Sequence, residues 1–216
     1  MLSVGILVFD DVEILDFSGP YEVFSTAARV QARICNAEPQ FRCFLIAAEM
    51  RPVRARGGMK VLPDCVLLPS ADIDVLIVPG GDVSKVIGSR TVIDWIRTQA
   101  KDTAITASVC TGAFLLAEAG LLDGLAATTH WEDQEELQAR FPKLRVRQNV
   151  PWIDCGKVVT SAGISAGIDM SLHLVERLGG RALAQATAKQ MEYRWDNNNG
   201  TTEYSGPSDS GLFRAA

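Results

Sequence analysis

Paired metal ligands and disulfide spacing are both missing from this sequence. Its five cysteines (Cys35, Cys43, Cys65, Cys110 and Cys155) are scattered with no C-x-x-C among them, and there are only two histidines. An odd, widely spaced set fits a reducing compartment better than a disulfide framework, and the pattern offers no zinc site. No phosphate-cradling glycine motif is present either, so neither a metal nor an organic cofactor is expected. Runs of lysine or arginine are absent and the net charge is −5, so nucleic acid would have to be bound against the protein's own field. No apolar stretch reaches the length of a membrane helix. The opening Met1-Leu2-Ser3-Val4-Gly5 enters a strand pattern without a charged lead or a cleavage site. No signal peptide is therefore expected, and a cytoplasmic location follows.

What is present is enough apolar sequence, 47% of 216 residues, to bury one full core. Apolar runs at residues 4–9, 41–48, 75–78, 104–109 and 157–160 read as strands, and 53–69 as short strands or a hairpin. Helices are expected at 20–29 (with Ser18 or Gly19 as the cap and Pro20 in the first turn), 91–101, 114–119 and 132–141. Two more follow, one carrying Ile168, Leu172, Val175 and Leu178 at helical spacing and one at 182–193. From Asp196 the chain turns rich in Asn, Gly, Ser and Thr, and a loosely held polar tail at 196–216 is expected after a domain at 1–195. Apolar strands alternating with helices indicate an α/β fold with a mainly parallel sheet covered on both faces. Ligands in such sheets bind beyond the carboxyl ends of the strands. Asp16, Gly80-Gly81, Cys110 and Gly163 each fall just after an expected strand, so four separated segments converge on one edge of the sheet.

Among these, Cys110 has the most chemical context. In Ser108-Val109-Cys110-Thr111-Gly112-Ala113 it stands between an apolar run and a helix-forming stretch, with small residues in between. That is the pattern of a nucleophile elbow, a strained turn that lifts one side chain above the sheet. A thiol at a helix start meets unpaired N–H groups that favour the thiolate. The other four cysteines read as small buried apolar residues. Asp16, between Leu15 and Phe17, reads from its position equally as a turn or cap residue and as a site acid. Gly80 and Gly81 serve as a turn after a strand, which also lets their N–H groups approach developing negative charge. His130-Trp131-Glu132 offers a His-x-Glu pair, but His130 is only twenty positions past Cys110, so it is expected in the pocket wall rather than in a triad.

Several stretches resemble the ThiJ/PfpI family of the class I glutamine amidotransferase-like superfamily, and within it the isocyanide hydratase branch. They are Leu15-Asp16-Phe17-Ser18-Gly19-Pro20, Val78-Pro79-Gly80-Gly81, the Cys110 elbow, Ala126-Ala127-Thr128-Thr129-His130-Trp131, and Ser161-Ala162-Gly163-Ile164-Ser165-Ala166-Gly167-Ile168-Asp169. The resemblance implies a flavodoxin-like three-layer sandwich, a homodimer, and a small-molecule substrate with no cofactor. It makes Cys110 the nucleophile and Asp16 its acid–base partner, with Thr111 where the protease-like branch carries histidine. Regulators sharing these stretches carry a helix-turn-helix module after this unit, and no basic module occurs before Ala216. The asparagine-rich stretch after Trp195 also departs from the proline-rich sequence of hydratases. The implied reaction is addition of water to an isocyanide through a cysteine thioimidate. The alternatives are a thiol hydrolase or 2-oxoaldehyde enzyme, and a non-catalytic redox or ligand sensor on the same fold.

Overall fold

The computed structural model describes residues 1–36, 38–68, 72–196 and 200–203. In chain order the main elements are β1 (Leu2–Leu7), α1 (Ile14–Cys35), β2 (Phe41–Ala47), β3 (Val53–Arg54), β4 (Lys60–Val61), β5 (Cys65–Val66) and β6 (Val75–Val78). Then come α2 (Arg90–Asp102), β7 (Ile105–Val109), α3 (Gly112–Glu118), β8 (Ala126–Ala127), α4 (Gln134–Arg140) and β9 (Arg145–Val146). The last are β10 (Trp152–Asp154), β11 (Val158–Ser161), α5 (Ala166–Gly179), α6 (Arg181–Gln190) and β12 (Thr201–Thr202).

Eight strands form one sheet in the order β12-β10-β11-β7-β6-β1-β2-β5, and only the β10–β11 pair is antiparallel. Side chains alternate across it, because successive residues of a strand point to opposite faces. Val4 and Ile6 join Val23, Phe24, Leu172, Val175 and Ala184 on the face covered by α1, α5 and α6. Leu7, Leu76 and Val78 join Ile93, Ile96, Phe114 and Leu115 on the face covered by α2 and α3. Both faces are dry, which is why the strands read as unbroken apolar runs. The protein is thus a flavodoxin-like α/β sandwich, as expected.

Two expectations change. Helix α1 begins at Ile14, not at Pro20: Glu13 is its cap, accepting the Ile14 N–H at 3.1 Å through its side chain, and Pro20 lies inside the helix. The helix tolerates a residue without an N–H there because its inner face, with Phe17, Val23 and Phe24, is buried in the core. The segment after Asp196 is not wholly loose, since Thr201 and Thr202 pair with Ile153 and Asp154 at the sheet edge. Gly200 there lies against the Trp152 ring, where an added Cβ would stand 1.9 Å from it. Residues 197–199 and 204–216 of the expected tail, and Pro69 of the expected hairpin segment, lie outside the described residues.

Candidate active site

The loop between β1 and α1 is stitched to the turn after β6. Val12 bridges Gly81, Glu13 N–H donates to Gly80 O at 2.9 Å, and Asp82 N–H donates to Asp11 O at 3.0 Å. This stitching sets the first turn of α1 beside the carboxyl ends of β6 and β7. Asp16 points inward from that turn and is fully buried. Its Oδ2 accepts the Gly80 N–H at 3.1 Å, and its Oδ1 is buried with no partner.

Cys110 follows β7 directly and has φ 56°, the left-handed conformation that costs a non-glycine residue roughly 1–3 kcal/mol. Four contacts hold it there. Its N–H points at the Ser161 and Ala162 carbonyls (3.2 and 3.3 Å), and its own carbonyl accepts from Ala113 N–H (3.3 Å) and from the Thr129 hydroxyl (2.8 Å). Behind the elbow, α3 presses so close to β6 that a Cβ on Gly112 would lie 2.1 Å from the Val78 carbonyl oxygen. The expected elbow is therefore present.

Thr111 and the glycine turn are tied together. The Thr111 hydroxyl accepts from Gly81 N–H and donates to Gly81 O, both at 2.9 Å. With Gly80 N–H on Asp16 and Gly81 N–H on Thr111, both amides expected to face developing negative charge are engaged within the protein. The backbone N–H that favours charge on the Cys110 sulfur is that of Thr111.

His130 closes another side. A Cβ on Gly163 would stand 2.2 Å from His130 Cδ2 and 3.2 Å from Cys110 Sγ, so the glycine leaves just enough room between ring and sulfur. The His130 Nδ1 faces Asp133 Oδ2 at 3.4 Å and Glu132 Oε2 at 3.6 Å, so Asp133 is at least as close a partner as the Glu132 of the His-x-Glu pair. No hydrogen bond joins His130 to Cys110 among the described residues, which places His130 in the wall. Two contributors escaped sequence reasoning. Thr129 buttresses the elbow, and Asp133 bears electrostatically on the Cys110 sulfur. Thr129 lies in the Thr-Thr-His-Trp stretch, a signal that was present; nothing in the sequence marks Asp133 from the acidic residues around it.

Electrostatics revise one expectation. Burial lifts the Asp16 carboxyl to about 7, against the pull of the Gly80 N–H and with the Glu13 charge adding to the rise. The Cys110 thiol is pushed up, not down, first by burial and then by the negative charge of Asp16; the Thr111 N–H opposes this without overcoming it. Desolvation beats the helix dipole because α3 is only seven residues long while the sulfur is almost completely buried. Asp16 and Cys110 thus form a pair that holds at least one proton at neutral pH, since two anions in a dry pocket repel each other. Such a pair can deliver a nucleophilic sulfur and a proton to the same atom. Among the described residues no group of three or more His, Cys, Asp or Glu is placed to hold a metal ion, and no helix is long and apolar enough to cross a membrane.

The chain is 33% identical over 220 residues to the isonitrile hydratase of Pseudomonas putida, covering 100% of this chain and 90% of that protein. It is 30% identical over 191 residues to the HTH-type transcriptional regulator GbdR of Pseudomonas aeruginosa, covering 88% of this chain but only 50% of the regulator. Among solved structures, a THiJ/PfpI family protein from Pseudomonas syringae superposes with a TM-score of 0.79 at 24% identity, covering 90% of this chain and 76% of that one. DJ-1beta of Drosophila melanogaster gives 0.77 at 20% identity over 90% of this chain and 99% of that one, a likeness of fold. The DJ-1/PfpI profile matches residues 2–177, from the first strand through most of α5, a span that holds Asp16, Cys110 and His130. The chain belongs to the DJ-1/PfpI family.

Proposed function

We propose that this protein is an isocyanide hydratase, converting R–N≡C and water to the N-substituted formamide R–NH–CHO. The observation that supports it most is the buried Asp16, held up at about 7 with Oδ1 unpartnered beside a sulfur on a left-handed elbow. The terminal carbon of an isocyanide is unusual in accepting a nucleophile and a proton at one centre, which is what a one-proton Asp–Cys pair offers. The Cys110 sulfur forms the S–C bond, and the proton of the pair goes to the same carbon. The product is a neutral thioimidate, R–N=CH–S, and leaves Asp16 ionised. Asp16 then takes a proton from water as the oxygen adds to the carbon and passes that proton to the nitrogen, giving the tetrahedral R–NH–CH(OH)–S adduct. Loss of the hydroxyl proton and cleavage of the C–S bond release the formamide, and one proton stays on the pair.

The similarity to an isonitrile hydratase over the whole chain supports the same reading. Cys110 is the nucleophile, Asp16 the acid and base, and Thr111, Gly80, Gly81 and His130 shape the pocket. The engaged Gly80 and Gly81 amides keep Asp16 and the elbow in register; negative charge in the adduct falls to the Thr111 N–H. A homodimer in the cytoplasm with a small-molecule substrate and no cofactor completes the reading. The test is turnover of an isocyanide panel, followed as formamide by NMR, with Cys110→Ala as the control. Turnover by the native protein and none by Cys110→Ala is expected. Full activity in Cys110→Ala overturns the scheme, and stoichiometric oxidation of Cys110 with no turnover of any substrate favours a sensor.

A further inference from the structure

Two large apolar side chains are exposed next in sequence to the residues that close around the buried sulfur. Trp131 is 73% exposed and follows His130, with the two rings 5.8 Å apart at a 40° tilt. Ile164 is 38% exposed and follows Gly163, the residue wedged between the His130 ring and Cys110 Sγ. Among the described residues the other large exposed apolar side chains, such as Ile34 in α1 and Met50 and Leu62 in loops, belong to other parts of the fold. Neither Trp131 nor Ile164 belongs to either core cluster, and each is the chain neighbour of a residue that walls the Cys110 sulfur.

The chemistry of the substrate bears on this placement. An isocyano group is linear, so its R group leaves the reacting carbon along a single line. The space around Cys110 Sγ is tightly closed: the residue is 6% exposed, and even one methyl group on Gly163 would crowd both the sulfur and His130. The pocket can therefore take the slender N≡C unit but not a broad substituent, which must lie outside it. On the side walled by His130 and Gly163, the exposed residues that follow them in the chain are an indole, whose ring lies 5.8 Å from that of His130, and a branched alkyl group. An indole face binds flat apolar groups by stacking and by excluding water, with its N–H as the single polar handle.

We propose that Trp131, together with Ile164, is the platform for the R group, and that the preferred substrates are isocyanides with an aromatic R. The inference rests on the hydratase reading and adds the substrate class and a specificity-determining residue. Trp131 touches R and not the reacting carbon, so its removal acts on discrimination between substrates.

The test compares kcat/KM for phenyl isocyanide and methyl isocyanide in the native protein, Trp131→Ala and Trp131→Phe, with sedimentation velocity on each. The native protein should prefer the phenyl substrate. Trp131→Ala should cut the phenyl-to-methyl ratio about three- to tenfold, the worth of one aromatic pair, and mainly through KM. Trp131→Phe should keep most of the ratio. If the native protein hydrates neither substrate, the hydratase reading fails and takes this inference with it. If it hydrates both and the ratio in Trp131→Ala is unchanged, the hydratase reading stands and the platform is wrong. A changed oligomeric state in Trp131→Ala with an unchanged ratio assigns the indole to a subunit contact and equally overturns the proposal.

Discussion

Replacing Asp16 with Asn should make the protein more stable and far less active, and the stability gain should depend on pH. The folded carboxyl is held near 7 while an unfolded one titrates near 3.8. A raised carboxyl binds its proton more tightly in the folded state, so its contribution is intact below the lower value and is lost as pH rises toward the upper one. Above about pH 7 the ionised form costs the fold about 4 kcal/mol. Asparagine is never charged, and its carbonyl oxygen can still accept the Gly80 N–H that Asp16 accepts at 3.1 Å. Its amine, however, is left beside the sulfur without an acceptor, which takes back about 1–2 kcal/mol. The net gain at pH 8 is about 2–3 kcal/mol, or a melting point higher by roughly 5–10 °C for a domain of this size. Turnover should fall by about two to four orders of magnitude, the range for loss of a general acid–base group. Calorimetry of both proteins between pH 5 and pH 8.5 is the assay, and the gap in Tm should narrow steadily toward pH 5. A variant that melts lower than the native protein at pH 8, or a gap that ignores pH, would show that Asp16 ionises at no cost and refute the reasoning.

Other perturbations probe the scaffold beneath the pair. Gly112→Ala sets a methyl carbon about where the Val78 carbonyl oxygen already lies, 2.1 Å away, and neither backbone can yield without lowering the elbow. A loss of at least about 2 kcal/mol is expected from urea unfolding, and an unchanged midpoint would contradict the close approach of helix and strand. Asp154→Asn removes a fully buried carboxylate that sits 2.6 Å from His173 Nε2, 2.9 Å from Arg177 Nη1 and 2.8 Å from the Gly156 N–H. Neutralising a fully buried carboxylate that both His173 and Arg177 face should cost about 3–5 kcal/mol by the same assay, and a loss under about 1 kcal/mol would mean that water already reaches the cluster.

Much of the fold was legible because strands dry on both faces leave an unbroken apolar signature. The runs at β1, β2, β6 and β7 could hardly be anything else. Short or half-polar strands left no such trace: Trp152–Asp154 carries a buried carboxylate, and the two-residue strands β8 and β9 are too brief for periodicity. The start of α1 was misplaced because Pro20, usually a first-turn residue, sits deep in the helix, where tertiary packing overrides its local preference. In the site, the small residues around Cys110 announced a tight turn by themselves. Asp16 did not announce itself, since its placement depends on a bond to Gly80, 64 residues away in sequence, and on a loop-to-loop stitching that composition cannot encode. The protonation of the sulfur was misjudged for a similar reason: local sequence reveals a helix start, while the burial that outweighs it comes from the whole chain.

The reciprocal bonds between Thr111 and Gly81 have a mechanical consequence. One hydroxyl spans two loops that leave neighbouring strands, giving and receiving at the same residue, so neither loop can swing without stranding polar atoms of the other. The two loops should open to solvent as a single cooperative unit, with their amide protons exchanging in concert. Breathing at this end of the sheet would then not vary the spacing between acid and sulfur. It would expose or shelter both at once.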